Sequence, residues 1–235
     1  VRAGDTVVVI GAGGIGMNAI QGARIAGALN IVAVDPVAFK RAQAAGFGAT
    51  HAVASIDEAW SLISDITRGK LADVCVLPTD VAEGSDIGEA LSLVGKRGRV
   101  VVTAIGHPEE TSMSGSLLEL TLYEKQIRGA LYGSSNAAHD IPRLVELYNS
   151  GHLKLDELIT REYTLDQIKR GVRRHEIRPQ HPRTHPLITK QPSREPQTAA
   201  SELSTTVEML RLADSSLTLD AGIAIESNVP HRHRR

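Results

Sequence analysis

The chain has 235 residues, a formal net charge of -1, 42% hydrophobic and 3% aromatic residues, and one cysteine. That length and apolar content suffice for a sizeable globular core, while the near-neutral balance gives no general pull toward nucleic acid or anionic membrane and the scarcity of aromatics argues against base-stacking surfaces. A lone Cys75 excludes an intramolecular disulfide, and no charged-then-apolar leader or run of about 18 apolar residues occurs, so the expectation is a cytoplasmic protein without a membrane span.

In chain order, TVVVI (6–10) predicts a strand and GIGMNAIQGARIAGA (14–28) a helix. IVAVD (31–35) predicts the second strand, followed by helices over FKRAQAAGFG (39–48) and IDEAWSLISDITRG (56–69). DVCVL (73–77) predicts the third strand, GSDIGEALSLVGKRG (84–98) a helix, and RVVVTAI (99–105) and QIRGALY (126–132) two further strands; DIPRLVELYNSG (140–151) predicts the last helix. The strands are Val- and Ile-rich and barely alternate, as expected where both faces are covered. The helices end near glycine. Such a series implies an α/β fold with a doubly wound parallel sheet. Beyond Gly171 the alternation stops: residues 171–235 are rich in Pro, Arg and His and lack the periodic apolar content for a core. The chain therefore divides into a folded region, 1–170, and an irregular, poorly structured tail, 171–235.

The first strand runs into Gly11, Gly13 and Gly16, a G-x-G-x-x-G spacing at the start of a helix. Gly11 permits a tight turn, Gly13 lets backbone approach a pyrophosphate, and Gly16 lets the helix pack close to the sheet. N–H groups at the helix start, around Gly14 and Ile15, then face phosphate oxygens. Glycines in a tight turn can serve packing alone, but here the second strand ends in Asp35, about 20 residues past the third glycine, where an acid can accept from adenine-ribose hydroxyls. These features point to a dinucleotide-binding (Rossmann) domain over 1–170. A carboxylate there repels a 2′-phosphate and favours NAD(H) over NADP(H), unless Lys40 or Arg41 compensates; a solvated helix face is the commoner meaning of two such cations.

The blocks VRAGDTVVVIGAGGIGMNAIQGARIAGA, IVAVDPVAFKRAQAAGFGATHAV, GRVVVTAIG and LKLDELITREYTLDQI occur in one order over residues 1–168. Together they resemble the coenzyme-binding domain of medium-chain, zinc-dependent alcohol dehydrogenases. LTLYEKQIRGALYGSSN resembles their bacterial, nicotinoprotein-like branch. The resemblance implies oxidation of a primary alcohol to an aldehyde with hydride passing to NAD, small alcohols or aldehydes as substrates, and a homo-oligomer formed through the edge strand at 126–132. It also implies that Gly11 to Gly16 hold the pyrophosphate, that Ile15 packs behind the nicotinamide, and that Asp35 and Lys40 meet the ribose. Backbone at Ile105, Gly106 and His107, and at Tyr132, would then meet the carboxamide. Read from the residues alone, Ile105 and Tyr132 fit ordinary strand packing just as well. LPTD (77–80) departs from the family, whose members often carry a glycine after this strand.

Zinc in this family acts as a Lewis acid on the bound alcohol and needs three protein ligands with one open position. The family supplies them from an N-terminal domain. Here Cys75 reads as a small buried hydrophobe, and His51, His107, His139 and His152 show no paired ligand spacing. No metal site and no catalytic residue are therefore expected in this chain, and by itself it should bind cofactor without turning over substrate. The stretch RRHEIRPQHPRTHPLI (173–188) offers histidines beside prolines that oppose a helix, and a local basic cluster. Written in legal codons and read one base later, this interval spells an ending resembling the family's GRNIRGLI. A single-base shift near 169–171 is thus expected, and the third bases of the nucleotide sequence decide it. Two other readings stay open: a different nucleotide-using enzyme such as a methyltransferase, and a non-catalytic binding protein with a basic tail.

Overall fold

A computed structural model of the chain describes residues 1–167. Strands β1 (Thr6–Ile10), β2 (Asn30–Val34), β3 (His51–Val53), β4 (Ala72–Leu77), β6 (Val94–Val102) and β8 (Gln126–Gly129) form one six-stranded sheet in the order β3-β2-β1-β4-β6-β8, and every neighbouring pair is parallel. Two short strands, β5 (Val81–Ala82) and β7 (Ile105–Gly106), pair separately. The expected doubly wound α/β fold is therefore present.

The unalternated valines of β1 explain its central position. Successive side chains point to opposite faces, so Val7 and Val9 enter one core and Val8 the other, all three fully buried. The first core is closed by Met17, Ile20 and Ala23 of α1 (Gly14–Ile25) and by Ala44 and Phe47 of α2 (Ala38–Phe47). The second is closed by Ala59 and Ile63 of α3 (Ile56–Thr67) and by Ile87, Ala90 and Leu91 of α4 (Gly84–Leu93). Each Val, Leu, Ile, Phe or Met side chain so buried stabilises the fold by about 1.5–3 kcal/mol before entropy is counted. Local sequence fixes the helix ends. Ser55 accepts from the Glu58 N–H at 3.2 Å while Glu58 accepts from the Ala54 N–H at 2.9 Å, and Gly48 closes α2 at φ 114°, a conformation that favours glycine.

Four expectations change. The helix expected over 84–98 ends at Leu93, and β6 begins at Val94; a Cβ on Gly95 would stand 2.0 Å from the Lys70 carbonyl oxygen, so this stretch is backbone packed on backbone. The strand expected over 99–105 belongs to β6 only as far as Val102, and Ile105 joins the small second pair. The strand expected over 126–132 stops at Gly129, which pairs with Val102, the last residue of its partner β6, and Tyr132 and Ser134 beyond it take left-handed backbone (φ 47° and 56°). Finally β3, only three residues long, was not expected at all.

Two further elements complete the described chain, α5 (Leu117–Leu122) and α6 (Ala137–Asn149). The segment after α6 is pinned to α1 by Gln21, which is fully buried: its Nε2 donates to the Lys154 carbonyl at 2.9 Å and its Oε1 accepts from the Lys154 N–H at 2.8 Å. Leu165–Gln167 form one 3-10 turn. The expectations placed on the tail, including the boundary at 170–171 and the shifted frame, fall outside the described residues.

Candidate functional site

In a parallel sheet all strand ends of one kind share an edge, and the order above places β2 on one side of β1 and β4 on the other. The chain leaves β1 in one direction and later returns in the opposite one, which opens a crevice at the carboxyl ends of β1 and β4, the usual ligand position in such sheets.

The glycine turn fills the β1 side of that crevice. Gly11 adopts φ 106° and donates its N–H to the Val34 carbonyl at 2.7 Å, which ties the turn to β2. A Cβ on Gly16 would lie 1.8 Å from the Gly11 carbonyl oxygen, so α1 reaches this close only because residue 16 has no side chain. Gly13 and Gly14 differ: a Cβ on either would meet nothing within 4 Å, so this backbone faces open space. Gly13 is the N-cap of α1, no side chain caps that end, and the first helical bond is Met17 N–H to Gly13 carbonyl at 2.8 Å. The N–H groups of Gly14, Ile15 and Gly16 precede it and have no intrahelical partner. They carry the positive end of the helix dipole.

Asp35 stands beside this turn, 2% exposed. Its Oδ2 accepts from the Ala12 N–H at 2.9 Å and from Lys40 Nζ at 3.0 Å, and its Oδ1 accepts from the Val37 N–H at 2.9 Å. The side chain therefore joins the glycine turn to the end of β2 and keeps acceptor capacity on Oδ1. Lys40, expected as a ribose-side residue or a charge compensator, is this carboxylate's ion-pair partner. Arg41 Nη1 donates to the carbonyls of Asp35 and Pro36 at 2.8 and 2.7 Å, so neither cation is merely a solvated face.

The β4 side carries a residue the sequence reading passed over. Thr79 follows β4 by two positions, its methyl group lies 3.7 Å from where a Gly11 Cβ would stand, and its hydroxyl oxygen is sealed from solvent without a hydrogen-bond partner. Among the described residues no other buried side-chain polar atom lacks one. LPTD had drawn attention through Pro78; a lone threonine in a loop carries no spacing signal of its own.

Ile105, Gly106 and Tyr132 lie farther along the same edge, past β6 and β8. Ile105 and Tyr132 are 71% and 87% exposed and Ile15 is 59% exposed, so the alternative of ordinary strand packing for the first two does not hold. Cys75 is fully buried in β4 and burial pushes its thiol up to about 12, which keeps it protonated and unsuited as nucleophile or metal ligand. Among the described residues no group of three or more His, Cys, Asp or Glu side chains could hold a metal ion, and no helix is long and apolar enough to cross a membrane.

A glycine turn with uncapped helical N–H groups and an adjacent buried acid is shared by several nucleotide-binding families, and comparison with known proteins separates them. The family model described as zinc-binding dehydrogenase matches residues 14–150. The chain belongs to the zinc-binding dehydrogenase family. It is 48% identical over 171 residues to an NDMA-dependent alcohol dehydrogenase of Amycolatopsis methanolica, covering 73% of this chain and 46% of that protein. Alcohol dehydrogenase B of Mycobacterium tuberculosis is 42% identical over 171 residues, with the same coverage of 73% and 46%. Among solved structures, an alcohol dehydrogenase zinc-binding domain protein from Burkholderia ambifaria superposes with TM-score 0.68 at 32% identity, covering 75% of this chain and 46% of that one. Benzyl alcohol dehydrogenase from Acinetobacter calcoaceticus gives TM-score 0.68 at 28% identity, with coverages of 75% and 48%. This zinc-binding dehydrogenase chain thus spans about half the length of the relatives it matches, and the matched half carries the glycine turn's helix and the sheet.

Proposed function

We propose that residues 1–170 are the NAD(H)-binding portion of a zinc-dependent alcohol dehydrogenase that oxidises a primary alcohol to an aldehyde. In the bound state NAD would accept the hydride at its nicotinamide ring; this chain's residues hold and orient it. The three first-turn N–H groups of α1 would receive the pyrophosphate, Gly13 leaves room for it, and the spare acceptor of Asp35 Oδ1 would take a ribose hydroxyl. Ile15 would back the nicotinamide, with backbone at Ile105, Gly106 and Tyr132 meeting its carboxamide. A 2′-phosphate would stand against the Asp35 carboxylate, which favours NAD(H). The described residues offer zinc no site, so no step through the metal is assigned to them. The carrying observation is the turn itself: Asp35 accepting from Ala12 beside an uncapped, glycine-lined helix start. Calorimetric titration of the whole chain tests it. Saturable binding of NADH and none of S-adenosylmethionine is expected; a chain that does not bind NADH would overturn this reading.

In the same reading the protein is cytoplasmic and self-associates through β8. That strand pairs with β6 on one side only, and an unpaired edge is a template for another strand. On the helices that flank it in sequence, Leu117, Leu118 and Leu122 of α5 and Ile141, Leu144 and Val145 of α6 are at least 47% exposed, apolar surface that an interface would cover. Sedimentation at increasing concentration should reveal a dimer; a monomer throughout the micromolar range overturns this assignment.

A further inference from the structure

Buried polar groups are almost always hydrogen-bonded, and one that is not requires an explanation. Thr79 Oγ1 is such a group, on a half-buried residue two positions past β4. It follows β4 at the switch point, and across from it is Gly11, whose carbonyl already packs against Gly16. The face of Thr79 turned to the glycine turn is its methyl, 3.7 Å from a Gly11 Cβ position. Threonine has staggered side-chain wells about 120° apart. One step between them carries the hydroxyl into the place the methyl now holds, facing the turn. A hydroxyl there is a donor, and an acceptor-only phosphate oxygen held by the α1 N–H groups is its chemical complement.

We infer that Thr79 is a positioning residue for the dinucleotide: its hydroxyl is unpaired without ligand and donates to a pyrophosphate oxygen when the cofactor is seated on Gly11–Gly16. The inference rests on the dinucleotide reading above and adds a contact on the β4 side of the glycine turn.

Two variants of the whole chain separate the hydroxyl from the methyl. Thr79→Val keeps shape and removes the donor; Thr79→Ser keeps the donor. With NADH as the titrant, Thr79→Val should raise Kd about tenfold or more, the loss expected for a hydrogen bond to a charged group, while Thr79→Ser stays within about twofold of wild type. ADP-ribose, which keeps the pyrophosphate without the nicotinamide, should show the same loss. The ligand-free melting temperature should move the other way: removing an unpaired buried hydroxyl in an isosteric change is neutral or stabilising, so Thr79→Val should melt no lower than wild type. The proposal is overturned if Thr79→Val binds NADH within about twofold of wild type, if the loss is confined to NADH and spares ADP-ribose, or if the ligand-free variant melts lower, which would reveal a structural partner. Wild-type chain that fails to bind NADH at all would instead sink the dinucleotide reading and this inference with it.

Discussion

Gly16→Ala is expected to destroy cofactor binding and to destabilise the fold by about 3 kcal/mol or more. The added methyl would lie 1.8 Å from the Gly11 carbonyl oxygen and 2.9 Å from its carbon. Both are main-chain atoms, so no side-chain rotation relieves the contact. Either α1 tilts off the sheet, uncovering Met17 and Ile20, or the turn shifts and loses the Gly11 bond to Val34 and the Ala12 bond to Asp35. At this chain length the melting point should fall by about 6 °C or more. The control is Gly13→Ala. Its methyl meets nothing within 4 Å and its φ of -82° suits alanine, so the melting point should hold while NADH binding weakens, because the open space serves only a ligand. Equal melting points for both variants, read by differential scanning calorimetry, would contradict the division of labour assigned to these two glycines.

Asp35→Asn is expected to lower both NADH affinity and stability, and the second effect is the informative one. A residue that only met ribose would leave the ligand-free melting point unchanged. Here the carboxylate is 97% withdrawn from solvent and accepts from two backbone N–H groups and Lys40. An asparagine keeps one acceptor oxygen; its NH2 would point at a donor on the other side, either Val37 N–H or the Ala12 and Lys40 pair. Leaving a buried donor unpaired costs about 1–3 kcal/mol, and Lys40, 27% exposed, recovers part of its solvation. A fall of about 3–10 °C in melting temperature follows, measurable without any cofactor. An unchanged melting point would mean that Asp35 does not hold the turn.

The interior of the sheet was legible because its physics is periodic. Runs such as TVVVI and DVCVL bury both faces, and the strands observed at Thr6–Ile10 and Ala72–Leu77 fall where those runs lie. The glycine turn was legible because its spacing is dictated by steric limits, of which the Gly16 contact is one. What escaped was set by tertiary contact. β3 is three residues that become a strand only by pairing with Val32, Ala33 and Val34. Val94–Gly98 leaves the helix for β6, where Gly95 lies under the Lys70 carbonyl. Strand β8 ends at Gly129 because its partner β6 ends opposite, at Val102, a limit no composition rule marks. At the site, Asp35 was found as an acid near a ribose position, but its structural bonds to Ala12 and Val37 depend on chain segments brought together by folding. Thr79 was missed for the same reason: an orphaned hydroxyl is a property of surroundings.

The strand order also governs how the chain can assemble. β1, β2 and β3 occupy the first 53 residues and lie side by side with β2 in the middle, so half of the sheet can form while the chain is still being synthesised. Its central strand then waits: the second edge of Thr6–Ile10 is closed by β4, whose last residue is Leu77. Until that segment emerges the growing chain presents an all-aliphatic parallel edge, the kind of surface that recruits other chains. The steps β1 to β4 and β4 to β6 are both non-local and slow relative to helix formation. The interval in which β1 is complete and β4 has yet to emerge is thus the one in which this fold is most open to other chains.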